Sequence, residues 1–162
     1  MSPEFSLSIQ YAEPMAELPR WRLRRWVGRA LARALAPPAP HAGQPIALTL
    51  RLVGEDEGRA LNQAYRQRDY ATNVLTFEYG EDPSGLVSGD IVLCVPVLRR
   101  EAREQGKPLA HHAAHLVTHG VLHALGHDHI DPDEARAMES LETAILADQG
   151  IPDPYRIPPA EA

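Results

Sequence analysis

The feature that most constrains this chain is a histidine-rich stretch, His-Gly-Val-Leu-His-Ala-Leu-Gly-His-Asp-His, at residues 119–129. His119 and His123 are four residues apart, so on an α-helix they lie about 5–6 Å apart on one face. Gly126 predicts the end of that helix, because a residue without Cβ adopts the left-handed C′ conformation at low cost. The turn can then bring His129 to the same ion. The stretch therefore predicts a metal site on a helix and the following turn.

The predicted ligands His119, His123 and His129 are those of a catalytic zinc site. Three protein ligands and a fourth position left to water are typical of catalytic Zn²⁺, whereas structural zinc sites have four protein ligands, usually including Cys. Cys94 is the only cysteine in the chain, and we expect it to be a small core residue. We therefore expect one zinc ion per chain.

The spacing H-x-x-x-H-x-x-G-x-x-H is that of the metzincin zinc peptidases. In those enzymes a Glu follows the first His and accepts a proton from the water at the metal. Here that position is Gly120, which argues against a peptidase. An alternative is a surface segment rich in histidine, since seven of the eight histidines lie within residues 111–129. The ligand spacing and the position of Gly126 favour the metal site.

Three neighbours of the predicted ligands have other expected positions. His127 is two residues from His129, and side chains so close in a turn rarely converge on one ion. We therefore expect His127 at the rim of the metal site, where it could contact substrate. His115 lies one turn before His119. We expect it to contact a ligand residue or to lie in the core, rather than to bind the ion. Asp128 either accepts a hydrogen bond from a ligand histidine or forms the turn.

Length and composition indicate one domain over residues 1–162, with residues 150–162 as a loosely ordered tail. Residues 1–14 lack the charged and then apolar pattern of a signal peptide, and no run approaches the roughly 20 apolar residues of a membrane span. A single cysteine gives no disulfide framework. We therefore expect a soluble, cytoplasmic protein without a membrane partner.

The net charge of −6 argues against broad, non-specific binding of nucleic acid. The charge is uneven, because residues 1–72 hold ten Lys and Arg against seven Asp and Glu, while residues 73–162 hold six against fifteen. Six arginines lie between residues 20 and 33. They are typical of a solvated helix face, and only secondarily of a phosphate contact.

Hydrophobic periodicity predicts strands and helices in alternation along most of the chain. We expect strands at residues 5–11, 46–53 and 91–95, and another that begins at Val74. The expected helices are 19–36, 55–65, 96–105, 108–125 and 131–148, the last with an apolar face of Ala135, Met138, Leu141 and Ile145.

Several further motifs occur in an order that resembles the YbeY family of bacterial ribosomal-RNA maturation endoribonucleases. They are Tyr65-Arg66, Asp69, Thr72-Asn73-Val74-Leu75, Gly89-Asp90 and Glu104-Gln105-Gly106-Lys107. With the metal motif, the resemblance covers most of the chain. The chain differs at His127, Asn73 and Thr76, where the family commonly has Tyr, Asp and Ser.

The resemblance implies an α+β fold with a mixed, about four-stranded sheet covered by helices. It implies a zinc-dependent, single-strand-specific endoribonuclease in ribosomal RNA maturation, at the 3′ end of the small-subunit RNA, and in ribosome quality control. It implies His119, His123 and His129 as metal ligands, and Arg66 with His119 as active-site residues. The implied partners are single-stranded RNA, ribosomal RNA or a ribosomal particle, and ribosome-associated proteins.

The chemistry of these residues agrees with a nuclease. Zn²⁺ lowers the pKa of its bound water towards about 7 and polarises a phosphoryl oxygen, so the Glu that Gly120 replaces is not required. The planar guanidinium of Arg66 suits the negative charge that develops on phosphorus. Two other classes stay open: a zinc hydrolase with another substrate, such as a peptidase with a relocated base, and a non-catalytic ribosome assembly factor with structural zinc.

Overall fold

A computed structural model describes residues 4–128 and 130–156. Within these residues the chain forms four strands and five helices. In chain order they are β1 (Phe5–Tyr11), α1 (Arg20–Ala34), β2 (Ile46–Val53), α2 (Glu55–Arg66), β3 (Val74–Glu81), β4 (Val87–Cys94), α3 (Val95–Glu104), α4 (Leu109–Ala124) and α5 (Pro132–Ala147). None of the helices in the described part is long and apolar enough to cross a membrane.

The four strands form one mixed sheet in the order β1-β2-β4-β3. β1, β2 and β4 are parallel, and β3 pairs with β4 in the antiparallel sense. The expected α+β fold with a mixed, four-stranded sheet is therefore confirmed. β4 begins at Val87, earlier than predicted, because residues 87–90 alternate between buried and half-buried positions and pair with strands on both sides.

The two faces of the sheet carry different apolar clusters, since successive side chains of a strand point to opposite faces. Ile91 and Leu93 of β4 belong to the larger cluster, which includes buried residues of α1, α4 and α5. Val92 and Cys94 belong to a smaller cluster with Val97 of α3. Cys94 is 1% exposed, which confirms its predicted place in the core.

Helix α4 packs closely on β4 at Gly120. A Cβ atom at this position would lie only 2.6 Å from Cγ2 of Ile91. Gly120 therefore faces the sheet and leaves no room for a side chain. Since this is the position of the general base in the metzincin motif, the packing of α4 gives a physical reason why no carboxylate stands there.

We predict that Gly120→Ala is less stable than Gly28→Ala by about 1–3 kcal/mol, because it overpacks the contact between α4 and β4. Gly28 lies in α1, where an added Cβ would meet Phe5 at an ordinary distance of 3.5 Å. Both substitutions gain the same helix propensity, so their difference isolates the packing term. Urea unfolding of both variants measures it, and equal free energies of unfolding would contradict the close approach.

The chain after α5 folds back onto the domain. The amide of Ile151 donates to the carbonyl of Leu146 at 3.0 Å, and the Ile151 side chain packs against the main core. Nζ of Lys107 donates to the carbonyl of Pro154 at 3.3 Å. Residues 151–156 thus contact the domain, and residues 157–162 lie outside the described part, so the loosely ordered tail over residues 150–162 stays a prediction.

Candidate metal centre

Helix α4 brings two of the predicted ligands together. The ring centroids of His119 and His123 are 4.9 Å apart, as expected for residues one turn apart. The helix ends in a Schellman motif: Gly126 has φ 97°, its amide donates to the carbonyl of His123, and the amide of His127 donates to that of Leu122. The predicted helix stop at Gly126 is therefore confirmed.

The third predicted ligand, His129, lies outside the described residues. Within residues 4–128 and 130–156, no group of three or more His, Cys, Asp or Glu side chains is arranged to hold a metal ion. The structure therefore joins His119 with His123, and the complete ligand set stays a prediction.

A buried carboxylate, Glu142 of α5, lies behind the histidine pair. Glu142 is 0% exposed. Its Oε1 accepts a hydrogen bond from Nδ1 of His119 at 2.6 Å. Its Oε2 accepts hydrogen bonds from Nε2 of His115 at 3.2 Å and from the hydroxyl of Tyr155. The predicted apolar face of α5 omitted Glu142, although Met138 of that face is in the core, as expected.

The environment of Glu142 keeps it ionised at neutral pH. Burial alone would raise its pKa, but the hydrogen bonds from His115, His119 and Tyr155 lower the pKa to about 2. Burial and the hydrogen bond to Glu142 raise the pKa of the Tyr155 hydroxyl above its ordinary value. Tyr155 is therefore a protonated donor, and Glu142 can only accept.

Ionised Glu142 determines the tautomer of His119. Because the carboxylate accepts, Nδ1 of His119 carries the proton, and Nε2 is the nitrogen with which His119 would bind a metal. Histidine ligands of zinc are typically held in this way by a carboxylate on the second ring nitrogen. The donor chemistry of His119 and His123 therefore fits Zn²⁺.

His115 and His127 lie in different surroundings, and their exclusion from the ligand set stays a prediction. Nε2 of His115 is used at Glu142, and its Nδ1 is buried without a hydrogen-bond partner within the described ranges. His127 is half-buried in a small cavity that Leu35 and His41 also line. Burial and the nearby His41 lower the pKa of His127.

Arg66 is the last residue of α2, one residue beyond the predicted helix 55–65, because the helix continues until Gln67 adopts the left-handed conformation at φ 55°. The Arg66 side chain is exposed. Within the described ranges it makes no ion pair or side-chain hydrogen bond, including none to His119 or His123. Its assignment to the active site therefore stays a prediction.

Polar contacts connect the segment between Arg66 and β3 to α4, the helix that carries His119 and His123. Nδ2 of Asn73 donates to Oε1 of Glu101 at 3.0 Å, and the same oxygen accepts from Nε2 of His112 on α4 at 3.0 Å. Oδ1 of Asn73 accepts from the amide of Val74 at 2.7 Å. Asn73 is thus a donor to a carboxylate, a role that an ionised Asp at this position could not fill.

The comparisons with known proteins agree with these observations. The family model of endoribonuclease YbeY matches residues 9–150. The Endoribonuclease YbeY of Bordetella pertussis is 65% identical over 156 residues, which cover 96% of this chain and 98% of that protein. That of Thiobacillus denitrificans is 51% identical over 156 residues, which cover 96% and 99%.

A solution structure from Thermotoga maritima has a TM-score of 0.58 and 21% sequence identity, and the match covers 96% of this chain and 99% of that one. At this identity the likeness supports the fold alone. The family match and the two relatives go further, since they span nearly the whole chain. The chain therefore belongs to the endoribonuclease YbeY family.

Proposed function

We propose that this protein is a zinc-dependent endoribonuclease that cuts single-stranded RNA during ribosomal RNA maturation, at the 3′ end of the small-subunit RNA. Its relatives are named as endoribonucleases, and family membership supports a nuclease activity. The observation that carries the metal part of the proposal is the hydrogen bond from Nδ1 of His119 to buried Glu142, beside His123.

His119 and His123, together with His129, would hold the zinc ion. When bound, Zn²⁺ supplies a Lewis acid that stabilises negative charge on a phosphoryl oxygen and makes a water molecule more acidic. Within the protein, Glu142 keeps the proton on Nδ1 of His119 and so leaves Nε2 for the ion. Arg66 would place a fixed positive charge on the scissile phosphate.

The distribution of arginines supports binding of a single strand by a local basic surface. Arg20 donates to the carbonyl of Ile9, and Arg33 pairs with Asp148, so both have structural contacts. Arg25 and Arg29 of α1 are exposed and make no ion pair or side-chain hydrogen bond within the described ranges. Like Arg66, they are open to phosphate contacts.

Exposed aromatic and basic groups occur together at the start of α1. Trp21 is 61% exposed, and the guanidinium of Arg22 lies 5.3 Å from its ring centre. Bases of a single strand stack on such aromatic groups, whereas paired bases in a duplex are not accessible to them. The other end of α1 reaches Leu35, which lines the cavity around His127.

Since the chain carries a net charge of −6, its general attraction for RNA is weak. We therefore propose that a ribosomal particle or a ribosome-associated protein brings the RNA to the enzyme. We also propose that the enzyme acts in the cytoplasm, in ribosome quality control. Support for these two roles comes from membership of the YbeY family.

The test is cleavage of one labelled oligoribonucleotide, alone and annealed to its complement, by protein loaded with zinc. We expect cleavage of the single strand, weak cleavage of the duplex, loss of activity with chelator and recovery when zinc is added. His123→Ala, purified in parallel, controls for contaminating nucleases, and casein tests the peptidase alternative. Equal cleavage of both RNA forms, or cleavage that a chelator does not affect, would contradict the proposal.

A further inference from the structure

We infer that Glu142 and Tyr155 are positioning residues of the metal centre: Glu142 orients the ring of His119, and Tyr155 orients Glu142. Residues 151–156 would then contribute to the geometry of the metal centre. The inference rests on the proposed function in so far as the metal is zinc.

The two oxygens of Glu142 have separate donors. Oε1 accepts from His119 at 2.6 Å, whereas Oε2 accepts from Tyr155 and from His115 at 3.2 Å. The carboxylate cannot rotate without losing hydrogen bonds at both oxygens. Because the bond to His119 lies at one end of this arrangement, the orientation of its ring depends on donors at the other end.

The surroundings of Glu142 make these donors difficult to replace. Its neighbours on the buried side of α5, Met138, Ile145 and Leu146, are at most 1% exposed. Glu142 is 0% exposed, whereas Tyr155 is 42% exposed. Loss of the Tyr155 hydroxyl would leave Oε2 with His115 as its donor, and a buried charge with fewer hydrogen bonds is less stable. The hydroxyl of Tyr155 therefore stabilises the carboxylate of Glu142 together with His115.

The backbone around Tyr155 is held at several points. The Tyr155 amide donates to Oδ1 of Asp153 at 2.9 Å, and the preceding carbonyl, of Pro154, accepts from Lys107 at 3.3 Å. The Tyr155 ring makes an edge contact with the ring of His115, with centroids 5.3 Å apart. These contacts hold the Tyr155 hydroxyl within hydrogen-bonding distance of Oε2 of Glu142.

The first measurement uses the metal-free protein, so that it does not depend on zinc or on RNA cleavage. ¹⁵N NMR of the histidine rings reports the tautomer of His119. We expect the Nδ1-protonated form in the wild type, its retention in Glu142→Gln, which keeps an oxygen acceptor, and a shift towards the Nε2-protonated form in Glu142→Leu. A wild-type His119 without a proton on Nδ1 would overturn the inference.

The second measurement is zinc affinity by competition with a chelator. Loss of a group that orients a metal ligand costs roughly 10–100-fold in affinity. We expect Glu142→Gln to lose about 10-fold and Glu142→Leu more, with a smaller, measurable loss for Tyr155→Phe. Tyr70→Phe is the matched control, because it removes the hydroxyl of an exposed tyrosine, and it should bind zinc like the wild type.

The outcomes separate this inference from the proposed function. If the wild type binds zinc and cuts RNA, but Tyr155→Phe and Glu142→Gln bind zinc equally well, the positioning role is wrong. If the wild type binds no zinc, the proposed function fails, while the tautomer of His119 still decides the role of Glu142. Tyr155→Phe removes one oxygen atom, so it keeps the test valid if a Glu142 variant does not fold.

Discussion

Replacing His123 with Ala is expected to remove nearly all bound zinc and to abolish RNA cleavage. His123 lies one turn from His119 with its ring centroid 4.9 Å away, and its loss leaves too few imidazoles for a stable open site. The decrease in zinc affinity should exceed the roughly 10–100-fold cost of removing a group that only orients a ligand. The fold should persist, because His123 is only partly buried at the end of α4.

The measurement is the zinc content of purified protein after dialysis against a fixed free-zinc concentration. His111→Ala is a matched control, because His111 lies on the same helix but outside the predicted ligand set. It should keep one zinc ion per chain. Circular dichroism shows whether the variants are folded. A folded His123→Ala protein with the zinc content of the wild type would remove His123 from the metal site.

Local sequence patterns were sufficient for the elements that hold the histidine pair. The strands at residues 5–11 and 46–53 have the predicted bounds, because alternation with a period of two directly reflects which side chains face the core. The end of α4 was predictable from Gly126, since its backbone conformation follows from the absence of a Cβ atom.

Glu142 was not predicted, because its role depends on contacts between distant parts of the chain. Its donors His119 and Tyr155 are 23 and 13 residues away. A signal was nevertheless present: Glu142 is four residues after Met138 and four before Leu146, both buried, so it lies on the apolar side of α5. A carboxylate on that side requires buried donors.

The polar link at Asn73 was also beyond local patterns. Its amide donates to Glu101 of α3, which also accepts from His112 of α4. Neither contact has a periodic signature in the sequence. The link connects Asn73, at the start of β3, to α3 and α4.

Replacing Arg66 with Ala is expected to slow cleavage by roughly 10²-fold or more while leaving the fold intact. A guanidinium that stabilises charge on the transferred phosphoryl group acts in the transition state, so the rate constant should fall more than the affinity for RNA. Arg66 is exposed and makes no ion pair or side-chain hydrogen bond within residues 4–128 and 130–156. Its removal should therefore change the free energy of unfolding by no more than about 0.5 kcal/mol.

The control for Arg66 is Arg103, which is also an exposed arginine in the last turn of its helix, α3. Arg103→Ala removes the same charge and should cleave at the wild-type rate. Arg66→Lys keeps the charge but loses the planar fork, so its rate should lie between those of the wild type and Arg66→Ala. Single-turnover cleavage and thermal unfolding measure the two effects separately. If Arg66→Ala and Arg103→Ala cleave equally fast, Arg66 does not act on the phosphate.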